Sequence, residues 1–395
     1  MEFLVALLFV SGPLRGVAEF LTLPLFNPAV FSLTLILSVF LYKVVFKGEY
    51  WLSKEGLVFA STFFSLLGAV AISSIYTPST EVFLYKTAIS ILPISSVLVF
   101  CFIKEFNIER FSIWVVRLSV PVCLLFLYFF PQWRLGLLDE KYYNLDIIRT
   151  LYLGVGGLSA FSLLLLLVYP LKIGFFAATV LQFIFLLTLL ISSARAPLVF
   201  LLICLMLASL AHFVRACLSG RATKWLALFP IAGVIVIPLL FIFISSLEGD
   251  ALTVIKMSMD RLLLLTSSDK GASVNTRIIY FKEAMKYIDL SPIVGSGVAS
   301  FGRLVLKEEI FMHPHNIFIE SWFELGLFGV TLMALIFIFS IWFSVKSRAY
   351  AILFCLIFLW LNALKSFSYA ENRQLFILIG VAFYAYQHRK FELMT

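Results

Sequence analysis

The chain has 395 residues, of which 62% are hydrophobic and only 13% are charged, and its mean hydropathy is +1.05. An ordinary soluble domain carries roughly 25% charged residues, so this composition excludes a soluble globular protein and predicts a polytopic membrane protein. The formal net charge of +8 fits basic cytoplasmic loops that face anionic lipid headgroups. Because basic residues do not cluster among aromatic ones, no nucleic-acid partner is expected.

In chain order, hydropathy predicts an all-α bundle of about twelve transmembrane helices. The predicted spans lie near residues 3–22, 26–46, 56–76, 83–103, 112–131, 147–169, 172–192, 196–216, 225–246, 315–343, 349–364 and 372–387. Pro13 and Arg15 interrupt the first span, so we expect a broken or re-entrant segment there. Spans one to nine then occupy residues 1–246, an outward loop occupies residues 247–312, and spans ten to twelve occupy residues 313–395. Together they form one integral domain.

The distribution of Lys and Arg over alternate short loops predicts the orientation of these spans. The loops on one side collect most of the basic residues, and that side is the cytoplasmic one by the positive-inside rule. Both termini are then cytoplasmic. The long loop 247–312 and the segment that follows it face outward.

The outward loop contains a predicted amphipathic helix that starts near Asn275 and carries Arg277 in its first turn. The apolar positions at helical spacing are Ile278, Phe281, Met285 and Ile288. Pro292, Gly295 and Gly297 end the helix. The earlier run 251–265 has similar spacing. A lid that merely covers the bundle would show the same periodicity, so the pattern alone does not establish a function.

The segment 313–329, with the sequence HPHNIFIESWFELGLFG, enters the membrane as the tenth span. Pro314 suits the first turn of a helix, and the free N–H groups of that turn would form an anion site. Asn316, Glu320 and Glu324 recur every four residues and therefore share one helix face, which places ionisable groups in the membrane.

Two glycines follow that polar stripe. Gly326 and Gly329 have no side chain to keep a neighbouring element away. They are expected to allow the close approach of another helix.

The predicted topology gathers several ionisable groups on the outward side. They are Arg195, Arg277, His313, His315, Glu320 and Arg373. Each has an ordinary alternative, because interfacial arginines commonly snorkel to the headgroups and loop histidines are commonly solvated. The two histidines lack a third ligand at metal spacing, so no metal site and no cofactor are predicted.

Together these groups suggest a reaction. Two arginines could hold a diphosphate headgroup through bidentate contacts, and a nearby histidine could take the proton of an attacking hydroxyl. The implied reaction is glycosyl transfer from a lipid diphosphate. Arginines instead of a divalent ion would stabilise the leaving group, and a single base without a carboxylate nucleophile predicts inversion at the anomeric carbon.

Three motifs resemble the O-antigen ligase and O-antigen polymerase family. They are Ser193-Ala-Arg195-Ala before an apolar span, Asn275-Thr-Arg277 with a helix ending at Pro292-x-x-Gly295-x-Gly297, and His315-Asn316 followed after nine residues by Gly326-Leu-Phe-Gly329. The resemblance implies that Arg195 and Arg277 bind undecaprenyl diphosphate and that His315 acts on the acceptor hydroxyl. His313, Asn316, Glu320 and Arg373 are then supporting or acceptor-site candidates.

The resemblance also implies a setting and partners. It places the chain in the bacterial inner membrane with its active site facing the periplasm. The implied partners are a lipid-linked glycan donor, membrane lipids, a chain-length regulator, and an acceptor that is either a lipid-linked repeat unit (polymerase) or the lipid A core (ligase). The loop 247–312 has as many acidic as basic residues, which favours the polymerase, because a phosphorylated core calls for a more basic site. A lipid-linked oligosaccharide flippase is the alternative from another class, but it requires ionisable residues along a path through the bilayer.

Overall fold

The computed structural model describes residues 1–20, 27–50, 53–137, 145–169, 171–218 and 272–392. Twelve α-helices lie within these ranges. They are α1 (Glu2–Phe20), α2 (Pro28–Lys47), α3 (Lys54–Ser73), α4 (Thr80–Phe102), α5 (Ile108–Arg134), α6 (Leu145–Val168), α7 (Phe175–Ser192), α8 (Arg195–Leu218), α9 (Ala272–Leu290), α10 (Ile317–Lys346), α11 (Tyr350–Ala363) and α12 (Arg373–Glu392). The predicted all-α polytopic fold is confirmed. The predicted ninth span, 225–246, and the run 251–265 lie outside the described residues.

Nine of the helices in the described ranges are long and apolar enough to cross a membrane, namely α1 to α8 and α10. The shorter α11 is an apolar helix of 14 residues. The total of twelve spans stays a prediction.

The first helix differs from its prediction. α1 continues unbroken from Glu2 to Phe20 with Pro13 inside it. Pro13 faces Gly154 of α6, where an added Cβ would lie 3.8 Å from the proline ring, an ordinary van der Waals contact. Arg15 forms an ion pair with Glu19 one turn later, with 2.7 Å between Arg15 Nε and Glu19 Oε1, so the charge has a partner on its own helix.

By contacts the chain divides into two compact units. Unit 1 comprises residues 1–5, 29–108 and 270–395, and unit 2 comprises residues 6–28 and 109–269. In unit 1, α12 packs against α4, α10 and α11, while α10 also packs against α3 and α9. An aromatic core joins these helices. The ring centroids of Phe59 on α3 and Phe343 on α10 are 5.0 Å apart, and the ring of Phe59 stacks on that of Phe383 on α12.

A break in α10 gives unit 1 its most unusual backbone feature. Gly326 has φ +63°, which lies outside the helical region, and the turn after α9 enters the resulting gap. Ser296 N and Gly297 N donate to the carbonyls of Phe323 and Glu324, and Leu327 N donates to Ile293 O. The turn therefore replaces the hydrogen bonds that the helix loses, as membrane-level backbone requires.

The glycines at this junction are explained by contact with that turn. A Cβ on Gly326 would lie 2.0 Å from Ile293 O, and one on Gly295 would lie 2.5 Å from Gly326 N. The expectation that Gly326 accommodates a neighbouring helix is wrong, because it accommodates a backbone turn. Gly329 lies against Ser321 and Leu325 of its own bent helix.

Unit 2 contains α5 to α8. α6 packs against α7 and α8. Between α7 and α8 the chain turns sharply at Ser193, which has φ +58°. The turn lies against Gly156 of α6, where a Cβ would be 2.6 Å from both Ala194 Cβ and Ser192 Oγ.

Candidate active site

The start of α10 is set by Asn316, which is its N-cap. Its side-chain oxygen accepts from Phe318 N at 3.0 Å and Ile319 N at 3.1 Å, and its Nδ2 donates to Leu364 O. The helix therefore begins at Ile317, and Pro314 precedes the cap instead of occupying the first turn. Because these two N–H groups already donate to the Asn316 side chain, the expectation that they bind an anion is wrong.

The two histidines lie in contact just before this cap. Their ring centroids are 4.7 Å apart at nearly right angles, and the ring of Tyr280 on α9 stacks on His315. His313 Nε2 lies 3.3 Å from Ser366 O, which assigns the proton to that nitrogen. The Nδ1 atoms of both rings are buried without a hydrogen-bond partner among the described residues.

Burial and neighbouring cations keep both imidazoles neutral. Burial, the Lys86 ammonium and the Arg277 guanidinium lower the pKa of His313 to about 4, against the opposing effect of the Ser366 carbonyl. Burial, His313 and Arg277 lower the pKa of His315 to about 3. A neutral ring with an unused Nδ1 lone pair can accept a proton from a hydroxyl.

The backbone of His315 has φ +59°, in the left-handed region that favours glycine. A non-glycine residue held there stores on the order of 1 kcal/mol of strain and commonly marks a functional site. The turn thereby fixes the direction in which the imidazole leaves the chain.

Arg277 belongs to α9, which packs on the first half of α10. The helix starts at Ala272, so Arg277 is in its second turn and not its first. The predicted apolar face is wrong in part, because Ile278 and Phe281 are exposed while Ala284 and Ile288 are buried against Phe323. The buried positions follow Tyr280 at four-residue steps, and Tyr280 is the residue that meets His315.

Glu320 and Glu324 share one face of α10 as predicted, and that face meets Lys86 of α4. Lys86 Nζ lies 2.5 Å from Glu320 Oε1 and 2.6 Å from Glu324 Oε1, and all three side chains are fully buried. We call these three residues the ionic cluster. Removing one member of such a buried group typically costs about 3–5 kcal/mol, because the remaining charge loses its partner.

Further hydrogen bonds complete the ionic cluster. Glu320 accepts from Ser368 Oγ at 2.6 Å and Tyr369 N at 3.1 Å. Glu324 accepts from Tyr369 OH at 2.7 Å and Ala299 N at 2.9 Å. Burial and the two carboxylates raise the pKa of Tyr369 well above its usual value, so its hydroxyl stays a donor. Glu320 is therefore enclosed by protein groups, which argues against direct contact of its carboxylate with an acceptor.

The loop 364–372 between α11 and α12 covers the start of α10. It contacts His313 and Asn316 through backbone carbonyls, and it contacts the ionic cluster through Ser368 and Tyr369. Arg373 begins α12 directly after this loop. Unit 1 thus contains every predicted site residue except Arg195.

Arg195 belongs to unit 2, where it is the first residue of α8. The preceding Ser193 is held by Arg134 of α5, whose Nη2 donates to Ser193 Oγ at 2.7 Å. The turn that presents Arg195 is therefore fixed by its own unit.

Two residues of this region were missed by the sequence analysis. Lys86 lies near the start of the predicted fourth span, where a lone charge is a sign of function or pairing that could have been noticed. Tyr369 offered no such signal, because an aromatic residue at a membrane interface is commonplace.

A family model described as O-antigen ligase matches residues 177–334, which span α7 to the middle of α10. Over this stretch the chain is similar to the O-antigen ligase family. The resemblance found in the motifs is thereby confirmed, and the match includes Arg195, Arg277 and His315. No curated protein matches the chain.

The O-antigen ligase match ends before α11 and begins after α6. It therefore leaves out Lys86, the loop 364–372 and Arg373. Within the matched stretch lie both sides of the Gly326 junction, the turn 291–297 and the break in α10.

Proposed function

We propose that this protein is a glycosyltransferase of the inner membrane. It moves a glycan from undecaprenyl diphosphate to an acceptor sugar hydroxyl at the periplasmic face. His315 accepts the proton of the acceptor hydroxyl, while Arg277 and Arg195 bind the diphosphate. His313, Asn316, Glu320 and Arg373 support these residues.

The proposal rests mainly on the neutral histidine pair beside Arg277, in which His313 is buried and His315 is half-buried. The acceptor oxygen forms its bond to the anomeric carbon, the bond to the diphosphate oxygen breaks, and the hydroxyl proton passes to an imidazole nitrogen. The guanidinium stabilises the negative charge that develops on the leaving diphosphate, so a metal ion is not required. Inversion at the anomeric carbon is the expected stereochemical outcome.

Binding of the donor adds a second effect. Arg277 helps to keep the pKa of His315 low in the free protein. A bound diphosphate offsets that positive charge, so the pKa of His315 rises and the ring becomes a stronger base when the donor is present.

We favour the polymerase reaction, in which the acceptor is a second lipid-linked repeat unit. The charge balance of residues 247–312 supports it, because a site for the phosphates of the lipid A core should carry an excess of basic residues. Ligation to the core is the alternative within the same family. The test is complementation of strains that lack either the polymerase or the ligase of a matching polysaccharide pathway. Restored long chains in the first strain support the polymerase, and restored capping of the core in the second overturns it.

The role of Arg277 is tested by Arg277→Ala and Arg277→Lys. Both should lower glycan transfer by about 100-fold or more, since a lysine ammonium does not reproduce the bidentate contact of the guanidinium with a diphosphate. Transfer is measured with purified protein and a lipid-diphosphate glycan. The matched control is Lys286→Ala, which removes an exposed cation from the same helix. Unchanged transfer by Arg277→Ala would remove Arg277 from the site.

A further inference from the structure

The proposed chemistry gives Glu320 only an unspecified supporting role and leaves Lys86 and Glu324 of the ionic cluster without one. Its three members cannot touch a substrate, because all are fully buried. Building on the function proposed above, we propose that Lys86, Glu320 and Glu324 are positioning residues. They hold the histidine turn, the Arg277 helix and the loop 364–372 in one fixed arrangement.

The link to the Arg277 helix runs through Glu324. Its Oε1 accepts from Ala299 N, and its backbone carbonyl accepts from Gly297 N. Residues 291–299 directly follow α9, so these two bonds fix the C-terminal end of that helix against α10. Ala299 itself has φ +66°, in the left-handed region that a non-glycine residue rarely adopts, and its N–H donates to this carboxylate.

The link to the histidine turn runs through Glu320 and the loop 364–372. Ser368 and Tyr369 of that loop donate to Glu320. Ser366 of the same loop contacts His313, and the carbonyl of Leu364 accepts from Asn316. A displacement of the loop away from Glu320 would therefore move the groups that surround the imidazoles.

Lys86 joins the two links. Glu320 and Glu324 lie one turn apart on α10, where two carboxylates repel each other. Lys86 reaches both of them from α4, and its Nζ also lies 4.7 Å from the centre of the Tyr369 ring. Without this cation the two carboxylates would separate, and the segments that they hold would shift with them.

The experiment uses two variants that each remove one hydrogen bond of the cluster and leave its charges in place, and a third variant that removes its cation. Tyr369→Phe deletes the hydroxyl that donates to Glu324, and Ser368→Ala deletes the one that donates to Glu320. Lys86→Met is the stronger variant. The matched controls in unit 1 are Tyr384→Phe, which removes a hydroxyl that accepts from Phe106 N, and Ser340→Ala, which removes one that accepts from Trp360 Nε1.

The expected result is a loss of kcat with little change in KM. A misplacement of the order of 1 Å can cost about 100-fold, so we expect a loss of this size for Lys86→Met and about tenfold for Tyr369→Phe and Ser368→Ala. The controls should stay within about twofold of the unchanged protein.

Two further readouts separate positioning from a loss of stability. The charged and titratable groups that act on the imidazoles are Arg277 from α9, Lys86 from α4 and the other histidine. If the loop loosens and water enters, the acid limb of kcat/KM should move up towards pH 6.5 in Tyr369→Phe and Ser368→Ala. Hydrogen exchange of amides 317–320 and 366–372 should also be faster in these variants. Neither readout should change in the controls.

Hydrogen exchange needs no substrate, so it distinguishes failure of this proposal from failure of the proposed function. If the unchanged protein transfers no glycan but the cluster variants show faster exchange, the function is wrong and the positioning role stands. If the cluster variants keep normal transfer, an unshifted acid limb and unchanged exchange, the positioning role is wrong.

Discussion

Three residues next to the predicted motifs have left-handed backbones although they are not glycines. They are Ser193, Ala299 and His315, with φ between +58° and +66°. Each costs on the order of 1–3 kcal/mol, and surrounding contacts must hold it in place. Arg134 donates a hydrogen bond to the side chain of Ser193, and Glu324 accepts one from the backbone N–H of Ala299. Among the described residues, Lys307 and Arg348 are the other non-glycine residues with positive φ, so three of the five such positions lie at or near the motifs.

The two histidines should differ in their importance. His315→Ala is expected to lower transfer by about 100-fold or more, since loss of a general base usually costs this much. His313→Ala should have a smaller effect, because its Nε2 contacts the Ser366 carbonyl and the ring mainly supports its neighbour. Single-turnover transfer assays on both variants give the order. The reverse order would assign the base to His313.

The pH dependence of kcat/KM follows from the lowered pKa of His315. A base must be unprotonated, so activity falls as the pH drops through its pKa in the free protein. With that pKa at about 3, kcat/KM should stay nearly constant from pH 7 down to about pH 5. An ordinary histidine would lose half its activity near pH 6.5. A half-loss at that pH would show that the imidazole is solvated in the working protein.

Among the helices, α10 combines the largest number of structural features. Its break at Gly326 is a hydrogen-bonded junction with the turn after α9, and the two carboxylates of the ionic cluster, Glu320 and Glu324, lie within two turns of it on the same helix. The same stretch provides the N-cap beside the histidines and a membrane span. A change at the junction should consequently affect both folding and transfer.

Gly326→Ala is the sharpest test of the junction. The new Cβ would lie 2.0 Å from Ile293 O at a positive φ, so we expect a loss of at least about 2 kcal/mol in stability. Thermal unfolding in detergent measures it. The matched control is Gly68→Ala in α3, which has open space around its Cβ position and should be neutral or stabilising by about 0.5–1 kcal/mol. Equal melting temperatures for the two variants would mean that the break relaxes freely.

The membrane-spanning helices were predictable from sequence because a sufficiently long run of apolar residues is enough to indicate each of them. The predicted spans agree with α2 to α8 and α10 to within a few residues at most ends. The break in α10 was not predictable, because Gly326 also fits a helix that is closely approached by another helix. The faces of α9 were misjudged for a related reason. Ile278 and Phe281 fit the helical period, but an apolar side chain at a membrane surface need not be buried in protein.

The candidate site was predictable where charge was informative. Arg277, His313 and His315 were found because polar groups at a helix mouth are costly, and the structure brings them together. Lys86 was not found, since its partners lie more than 230 positions away in sequence. Only packing of α4 against its neighbours reveals that the three charges compensate one another.

For the whole molecule, the orientation in the membrane is a prediction. The proposed reaction requires the histidine turn to face the periplasm. A reporter at Glu308→Cys, in the exposed segment before His313, should react with a membrane-impermeant maleimide in intact spheroplasts. Lys47→Cys, at the end of α2, should react only after permeabilisation. The unsubstituted chain is the control, and its described cysteines are buried. The opposite labelling pattern would place the site in the cytoplasm and end the proposal.

The shared hydrogen bonds at Gly326 also constrain protein engineering. Each of these hydrogen bonds has one atom in residues 291–297 and the other in residues 323–327. Neither segment can therefore satisfy its backbone N–H and C=O groups without the other. A chimera that exchanges only the loop 247–312 with that of a similar protein would combine halves of two different junctions. Substrate-swapping designs should therefore transplant the stretch from α9 to Gly329 as a single cassette.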